Sequence, residues 1–214
     1  RLNPHDESSY NNRGNAYATI GQFEQAIQDY DEALRLDPSD NDTYNNRGNA
    51  YATLGRFELA IKDYSETLKS NPLDSFTIKN RGNAYHNLGQ LDAAIQDYNE
   101  SIRINPEYAD ALSDRGLAYQ SLEQHEEAIR DYEQAILLNP QNSRSYYNRA
   151  NNYLALRNYE RAIEDYGQAI TLNPSYVDAY NNRGNAYSSL DQLESAIKDY
   201  SQAIRLNPRD TIAY

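Results

Sequence analysis

Proline constrains this chain most, because its seven copies stand at a constant interval of 34 residues. A repeat period of roughly 20–50 residues is typical of solenoids and related repeat architectures. If each unit starts three residues after a proline, the chain holds six full repeats and the start of a seventh. The prolines are Pro4, Pro38, Pro72, Pro106, Pro140, Pro174 and Pro208, and the repeats are 7–40, 41–74, 75–108, 109–142, 143–176 and 177–210, with the seventh beginning at 211.

Each repeat contains two segments in which small and apolar residues follow a helical spacing. In the first repeat, Tyr10, Gly14 and Tyr17 are spaced by four and three residues, and Ala26 and Tyr30 lie four apart in the second segment. The residue before each proline is driven out of the helical conformation, so we expect the second helix to end there. One hairpin cannot bury its apolar face alone, and stacked neighbours complete the core. The sequence therefore predicts a stack of antiparallel helix hairpins.

The repeat resembles the tetratricopeptide repeat family over nearly the whole chain. The residues that carry this resemblance in the first repeat are Gly14, Tyr17, Ala26, Tyr30, Ala33 and Pro38. The sequence departs from the family pattern at two positions. Tyr, Ile or Leu stands where Trp is common in the family, and Ala150 replaces the glycine of the fifth repeat. The resemblance implies an all-α fold, an α-solenoid in the form of a right-handed superhelix, with residues 1–214 as a single array. The resemblance also implies that the protein is a binding scaffold. The amino-acid sequences of the repeats resemble those of bacterial members of the family.

Composition disfavours several classes of function. With 32 acidic against 20 basic residues and a net charge of -12, the chain is poorly suited to nucleic acid or to an anionic membrane. It has no cysteine, and no apolar run approaches the roughly 18 residues of a membrane helix. No metal-ligand spacing, phosphate-binding loop or Ser/His/Asp set is present. We therefore expect no enzyme activity, no cofactor and no metal, and a cytoplasmic location, although a periplasmic one fits the lack of cysteine equally well.

An arginine and an aspartate recur at fixed positions in all six repeats. The arginine precedes the small residue of the first helix, and the aspartate precedes the tyrosine of the second helix. One interpretation is a structural ion pair, within a repeat or across a seam between repeats. The other is a row of arginines that binds phosphate or carboxylate groups. The residues are Arg13, Arg47, Arg81, Arg115, Arg149 and Arg183, and Asp29, Asp63, Asp97, Asp131, Asp165 and Asp199.

The resemblance implies that the first helices line a concave groove. Asparagine is frequent at the sixth and ninth positions of the repeat, which the resemblance places in this groove. Asparagine is a mediocre helix former, so this enrichment needs a reason. The amides either grip an extended peptide backbone or bridge adjacent first helices as a polar seam, and both roles are compatible. The candidate groove residues are Asn12, Asn15, Asn46, Asn49, Phe76, Lys79, Asn80, Asn83, His86, Leu117, Arg144, Tyr147, Asn148, Asn151, Asn182 and Asn185.

Repeats three to five depart from asparagine, alanine and serine at the groove positions. Phe76, Lys79, Leu117, Arg144 and Tyr147 introduce aromatic, apolar and basic groups, which is typical of a binding hot spot. Ordinary drift between repeats is the alternative. Part of this set also resembles the carboxylate clamp by which related domains hold chaperone C-termini, but Asp114 and Asn148 break that pattern.

The function that these features favour is a scaffold or adaptor that binds an extended peptide or partner segment in its groove. Excess acid on the second helices mildly favours a basic or mixed-charge partner. Two alternatives stay open. The chain ends within a first helix, and an uncapped solenoid end exposes apolar surface, so molecules could stack head to tail. The array could also be the recruitment arm of a larger enzyme or signalling protein.

Overall fold

The computed structural model describes residues 6–207, and the start of the seventh repeat lies outside them. The chain divides into two compact units, Arg1–Pro106 and Glu107–Tyr214, with the boundary close to the junction of the third and fourth repeats. The first unit contains three helix hairpins. Their helices are α1 (Glu7–Thr19), α2 (Phe23–Leu36), α3 (Asn41–Thr53), α4 (Phe57–Ser70), α5 (Ser75–Asn87) and α6 (Leu91–Ile104).

The second unit repeats this plan with three further hairpins. Its helices are α7 (Ala109–Ser121), α8 (His125–Leu138), α9 (Ser143–Ala155), α10 (Tyr159–Leu172), α11 (Val177–Ser189) and α12 (Leu193–Leu206). Residues 6–207 contain no strand, and none of their helices is long and apolar enough to cross a membrane. The predicted all-α class, with two helices in each of the six repeats, is confirmed.

The two helices of a hairpin approach closely where the glycine of the first faces the tyrosine of the second. A Cβ atom added to Gly14 would lie only 2.6 Å from Cε1 of Tyr30. Tyr30 is 1 % exposed, and the alanines beside it on the second helix are equally buried. The rings of Tyr64, Tyr98, Tyr132 and Tyr166 are likewise buried between the two helices of their hairpins.

The turn within each hairpin requires a left-handed residue after the first helix. Gly21, Gly55 and Gly89 occupy this position in the first unit with φ between 72° and 78°. In the second unit, Glu123, Arg157 and Asp191 adopt the same conformation at φ near 58–59°. A left-handed conformation is unfavourable for residues that carry a Cβ atom, so these three turns are strained relative to the glycine turns.

Within each unit, the odd-numbered helices form the inner layer. Neighbouring odd-numbered helices contact each other: α1 contacts α3, and α7 contacts α9. The even-numbered helices of adjacent hairpins make no such contact in the described part of the chain. Helices that approach on one side only must line the narrower side of the stack. The first helices of each repeat therefore present the inner surface of each unit, as the family resemblance implies.

Candidate functional site

The recurring arginine and aspartate form a two-pronged ion pair inside each hairpin. Nε and Nη2 of Arg81 donate to the two carboxylate oxygens of Asp97 over 2.8 and 2.7 Å. The other five repeats share this geometry, with distances of 2.5–2.8 Å. All six aspartates are buried. The structural interpretation is therefore confirmed, because Nε and Nη2 of every one of these arginines donate to the aspartate of the same repeat.

The third arginine nitrogen joins adjacent repeats. Nη1 of Arg47 donates to Oδ1 of Asp31 in the preceding repeat over 2.6 Å, and Nη1 of Arg81 donates to Oγ of Ser65 over 3.3 Å. Burial lowers the pKa of Arg47, but its hydrogen bonds to Asp63 and Asp31 raise that pKa by more. The guanidinium group therefore stays charged and links a hairpin to its neighbour.

The asparagine at the ninth position holds the buried tyrosine of its own hairpin. The hydroxyl of Tyr64 donates to Oδ1 of Asn49 over 2.8 Å. The same bond joins four further pairs at 2.6–2.8 Å, namely Tyr30 to Asn15, Tyr98 to Asn83, Tyr166 to Asn151 and Tyr200 to Asn185. Burial of the ring is the main reason that the pKa of Tyr30 rises to about 12. The asparagines that pair with Tyr30, Tyr64, Tyr98 and Tyr166 thus satisfy hydroxyls that would otherwise be buried without a partner.

The asparagine at the sixth position bridges adjacent first helices. Nδ2 of Asn80 donates to Oδ1 of Asn49 over 3.3 Å, and Nδ2 of Asn182 donates to Oδ1 of Asn151 over 3.1 Å. Asn46 instead donates to Oδ1 of Asn11 over 3.2 Å. The polar-seam interpretation is therefore confirmed for these residues. Asn12 is exposed.

The contacts between adjacent first helices leave the Nδ2 group of the ninth-position asparagines of the first unit without a hydrogen-bond acceptor in the described part of the protein. Oδ1 of Asn49 accepts two hydrogen bonds, whereas Nδ2 of Asn15, Asn49 and Asn83 has no protein partner among the described residues. These three side chains are half-buried on the first helices. Because Oδ1 faces the buried tyrosine, the amide orientation is fixed and Nδ2 faces away from the hairpin core. The inner layer of the first unit thus carries a row of oriented hydrogen-bond donors.

A cavity of about 360 Å³ lies on this inner surface, between the first and second repeats. Its lining includes Asn15, Asn46 and Asn49 together with Phe23 and Tyr30. The structure therefore brings three of the predicted groove residues to one concave site, where an aromatic ring lies beside amide groups.

The fourth repeat lacks the amide of this arrangement. Leu117 stands at the ninth position, and the hydroxyl of Tyr132 is the one buried side-chain polar atom without a hydrogen bond in the described residues. Asn148 lies beside that hydroxyl, without the geometry of a hydrogen bond, and is itself buried. Burial raises the pKa of Tyr132 well above its usual range. Leu117 therefore interrupts the row of asparagines and leaves a polar defect in the second unit.

The predicted aromatic and basic groups differ in their availability. Phe76 is 49 % exposed, and Nζ of Lys79 lies 5.6 Å from its ring centroid. Arg144 is exposed, whereas Tyr147 is packed against Tyr176 with ring centroids 4.7 Å apart. Tyr147 is therefore part of an aromatic cluster in the seam rather than a free anchor.

A buried polar network in the second unit was missed by the sequence reasoning. Nδ2 of Asn152 donates to Oε1 of Gln120 over 2.9 Å, and Oδ1 of Asn152 lies 2.9 Å from Nδ1 of His125. The signal was present in the sequence. Asn152 stands where the other five repeats have alanine, and His125 stands where the other five have Phe, Leu or Tyr. Simultaneous polar departures at neighbouring positions indicate a compensated network. His86, in the first unit, is half-buried on the inner helix α5.

Comparison with known proteins identifies the class. Family models described as TPR repeat match residues 14–55, 82–123 and 150–191, and models described as tetratricopeptide repeat match residues 42–73, 109–142, 177–210 and 131–164. The chain belongs to the tetratricopeptide repeat family. Proteins of this family generally mediate protein–protein interactions and are typically non-enzymatic scaffolds. Within residues 6–207, no group of three or more His, Asp or Glu side chains is placed to hold a metal ion.

The solved structures that resemble the chain are also repeat proteins, several of them bacterial. MamA is 27% identical, with a TM-score of 0.71 over 75% of this chain and 94% of MamA. PilF from Pseudomonas aeruginosa is 20% identical, with a TM-score of 0.81 over 95% of this chain and 92% of PilF. YrrB, described as a TPR protein with an unusual peptide-binding site, is 20% identical, with a TM-score of 0.69 over 85% and 93% of the two chains. A sequence search of curated proteins finds no match.

Proposed function

We propose that this chain is a non-catalytic adaptor that binds an extended protein segment along the inner helices α1, α3 and α5. The oriented Nδ2 groups of Asn15, Asn49 and Asn83 carry the proposal. Each has a donor without a protein partner and an oxygen held by a buried tyrosine. An extended segment displays main-chain carbonyl groups that accept hydrogen bonds from such donors without regard to side-chain sequence.

The fixed amide orientation favours binding because little conformational freedom is lost on contact. An exposed asparagine that rotates freely must be ordered by its ligand, and each immobilised side chain costs about 0.5–1.5 kcal/mol. In this row, the tyrosine hydroxyl has already ordered the amide. The cavity of about 360 Å³ between the first two repeats adds apolar walls from Phe23 and Ala18 for one partner side chain.

The specificity of binding would come from side chains beside the amide row. Phe76 offers an exposed aromatic face, and Lys79 lies next to it as a cation. Most carboxylates of the first unit lie on the outer helices α2, α4 and α6. Their field supports a basic or mixed-charge partner, whose positive groups would be attracted towards the unit during encounter.

The test begins with selection of linear peptides from a random library on the 214-residue chain. The affinity of the best peptide is then measured for the parent, for Asn49→Asp and for Asn71→Asp. In Asn49→Asp, a carboxylate oxygen still accepts the Tyr64 hydroxyl, but the Nδ2 donor is lost. Asn71→Asp is the matched control, because it adds the same charge at an exposed helix end where the first repeat already has Asp37.

We expect Asn49→Asp to weaken binding about tenfold, which corresponds to one hydrogen bond of about 1.4 kcal/mol. The control should bind the peptide as tightly as the parent does. Equal affinity for the parent and Asn49→Asp would refute the role of the amide row, and failure to select any peptide would refute groove binding.

A further inference from the structure

The Nδ2 donors that have no partner among the described residues recur once in each hairpin of the first unit. Asn49 and Asn83 stand at the same position of α3 and α5, and Oδ1 of each accepts a buried tyrosine hydroxyl over 2.7–2.8 Å. Asn15 holds this position on α1. Neighbouring inner helices contact each other, and the axes of helices in contact lie about 8–10 Å apart. The donors of successive hairpins are therefore spaced by about that distance.

This spacing discriminates between the conformations that a bound segment can adopt. In a β-strand, the carbonyl groups on one edge recur every second residue, about 6.4–6.8 Å apart. In a polyproline II helix, which has three residues per turn, the carbonyl groups on one side recur about every 9.3 Å. The carbonyl groups of an α-helix are already bonded within the helix. Of these three conformations, only polyproline II presents one free carbonyl group to the donor of each hairpin.

The ninth-position amides present their donors, and not their acceptors, to a partner. Oδ1 of Asn49 already accepts from the Tyr64 hydroxyl and from Nδ2 of Asn80. A main-chain N–H group that faces such an amide loses its hydrogen bond to water without gaining another, which is unfavourable. Proline has no N–H group. A proline-rich segment therefore offers these amides acceptors and leaves no donor unpaired against them.

The cavity between the first two repeats supplies the apolar surface that a proline ring needs. Its lining includes the rings of Phe23 and Tyr30 together with Ala50. Asn15 and Asn49 belong to the same lining, so the cavity adjoins two successive donors. Aromatic-lined grooves are the surfaces on which proline-rich segments dock. The cavity and the donor spacing therefore favour the same class of partner.

We propose that the partner of the first unit is a proline-rich segment in the polyproline II conformation, an inference that rests on the proposed groove function. The carbonyl groups of every third residue accept hydrogen bonds from Nδ2 of Asn15, Asn49 and Asn83, and a proline ring occupies the cavity beside Phe23. Proline fixes φ close to its value in this helix, and the tyrosine hydroxyls order the amides. Both surfaces are therefore preorganised for contact, which favours binding.

The test measures the affinity of the library-selected peptide for the 214-residue chain after single carbonyl-to-thiocarbonyl replacements along the peptide. Sulfur is a weaker acceptor than oxygen, so each replacement reports whether that carbonyl group is bound. We expect replacements three residues apart to weaken binding about fivefold, as for one net hydrogen bond, and the others to have little effect. In Asn49→Asp, the central one of these replacements should have no further effect, whereas in the Asn71→Asp control it should act as in the parent.

Two synthetic peptides of twelve residues provide a second measurement that does not depend on the selection. One is polyproline, and the other, its control, alternates serine and threonine. The parent chain should bind polyproline about tenfold more tightly than the control peptide, because the control peptide must be ordered on binding. Asn49→Asp should reduce this difference, and Asn71→Asp should leave it unchanged.

The outcomes separate this proposal from the groove function on which it rests. Sensitive carbonyl groups two residues apart, or polyproline binding no tighter than the control peptide, would overturn the polyproline II proposal. Groove binding would still stand if Asn49→Asp weakened the selected peptide. Failure to select any peptide, or a selected peptide whose affinity Asn49→Asp leaves unchanged, would instead contradict the proposed function, and this proposal with it.

Discussion

The hydroxyl of Tyr64 donates a hydrogen bond to Oδ1 of Asn49 over 2.8 Å, and this bond links the hairpin core to the inner surface. The tyrosine is 1% exposed, so its hydroxyl needs a protein partner. The asparagine supplies the acceptor and turns its donor outward. The asparagine thus stabilises the hairpin core, and in the proposed binding mode the same amide also contacts the partner, which would explain why a mediocre helix former recurs on these helices.

The buried ion pair should contribute more to stability than any exposed pair. In the third repeat, Arg81→Leu and Asp97→Ala each leave one buried charge without its partner, which costs about 3 kcal/mol. We expect each change to lower the urea concentration at the midpoint of unfolding. The double variant should lose less stability than the two single variants lose together, because it leaves no unpaired charge. Arg103→Ala, which removes an exposed pair with Glu100, should leave the midpoint unchanged. Unaltered midpoints for the first two variants would contradict the structural role of the pair.

The defect at Tyr132 predicts a stabilising substitution. Leu117→Asn restores the acceptor that five other repeats provide, and a satisfied hydroxyl contributes about 1 kcal/mol. The urea midpoint should therefore rise. The reciprocal change Asn49→Leu should lower the midpoint by leaving the Tyr64 hydroxyl unpaired. If Leu117→Asn destabilises the chain, the hydroxyl of Tyr132 is not the source of the defect.

The strained turns of the second unit predict a second stabilising change. Arg157 has φ of 58° at a position that Gly55 occupies in the second repeat with φ of 72°. Arg157→Gly should relieve about 1 kcal/mol of left-handed strain, and Gly55→Ala should destabilise by a similar amount. Thermal unfolding measures both. A lower melting temperature for Arg157→Gly would show that the arginine side chain contributes more than the strain removes.

The buried tyrosines predict unfolding at alkaline pH. Burial raises the pKa of Tyr30 to about 12, against about 10 in an unfolded chain. Between these values the folded state binds more protons, so stability is complete below about pH 10 and falls as pH rises towards 12. Phenolate absorbance of the buried tyrosines should appear only as helical circular dichroism is lost, and Tyr30→Phe should weaken this dependence. Full phenolate absorbance with helices intact would contradict the burial.

The sequence predicted the hairpins and the ion pair because both depend on short spacings that recur in every repeat. It left two roles open for the asparagines, since spacing alone does not tell which end of an amide faces the core. Leu117 was a clue, because its partner Tyr132 did not change with it. The repeat position of Tyr147 predicts an aromatic group in the groove, whereas its packing on Tyr176 depends on tertiary contacts that no spacing reveals.

The most direct test of the amide row is the nitrogen–proton NMR spectrum of the asparagine side chains with a selected peptide. If Nδ2 of Asn15 and Asn49 donates to the peptide, their amide signals should shift on titration. The signals of Asn139 and Asn71, exposed at helix ends, should stay in place. Shifts confined to such exposed asparagines, with Asn15 and Asn49 unmoved, would contradict the account.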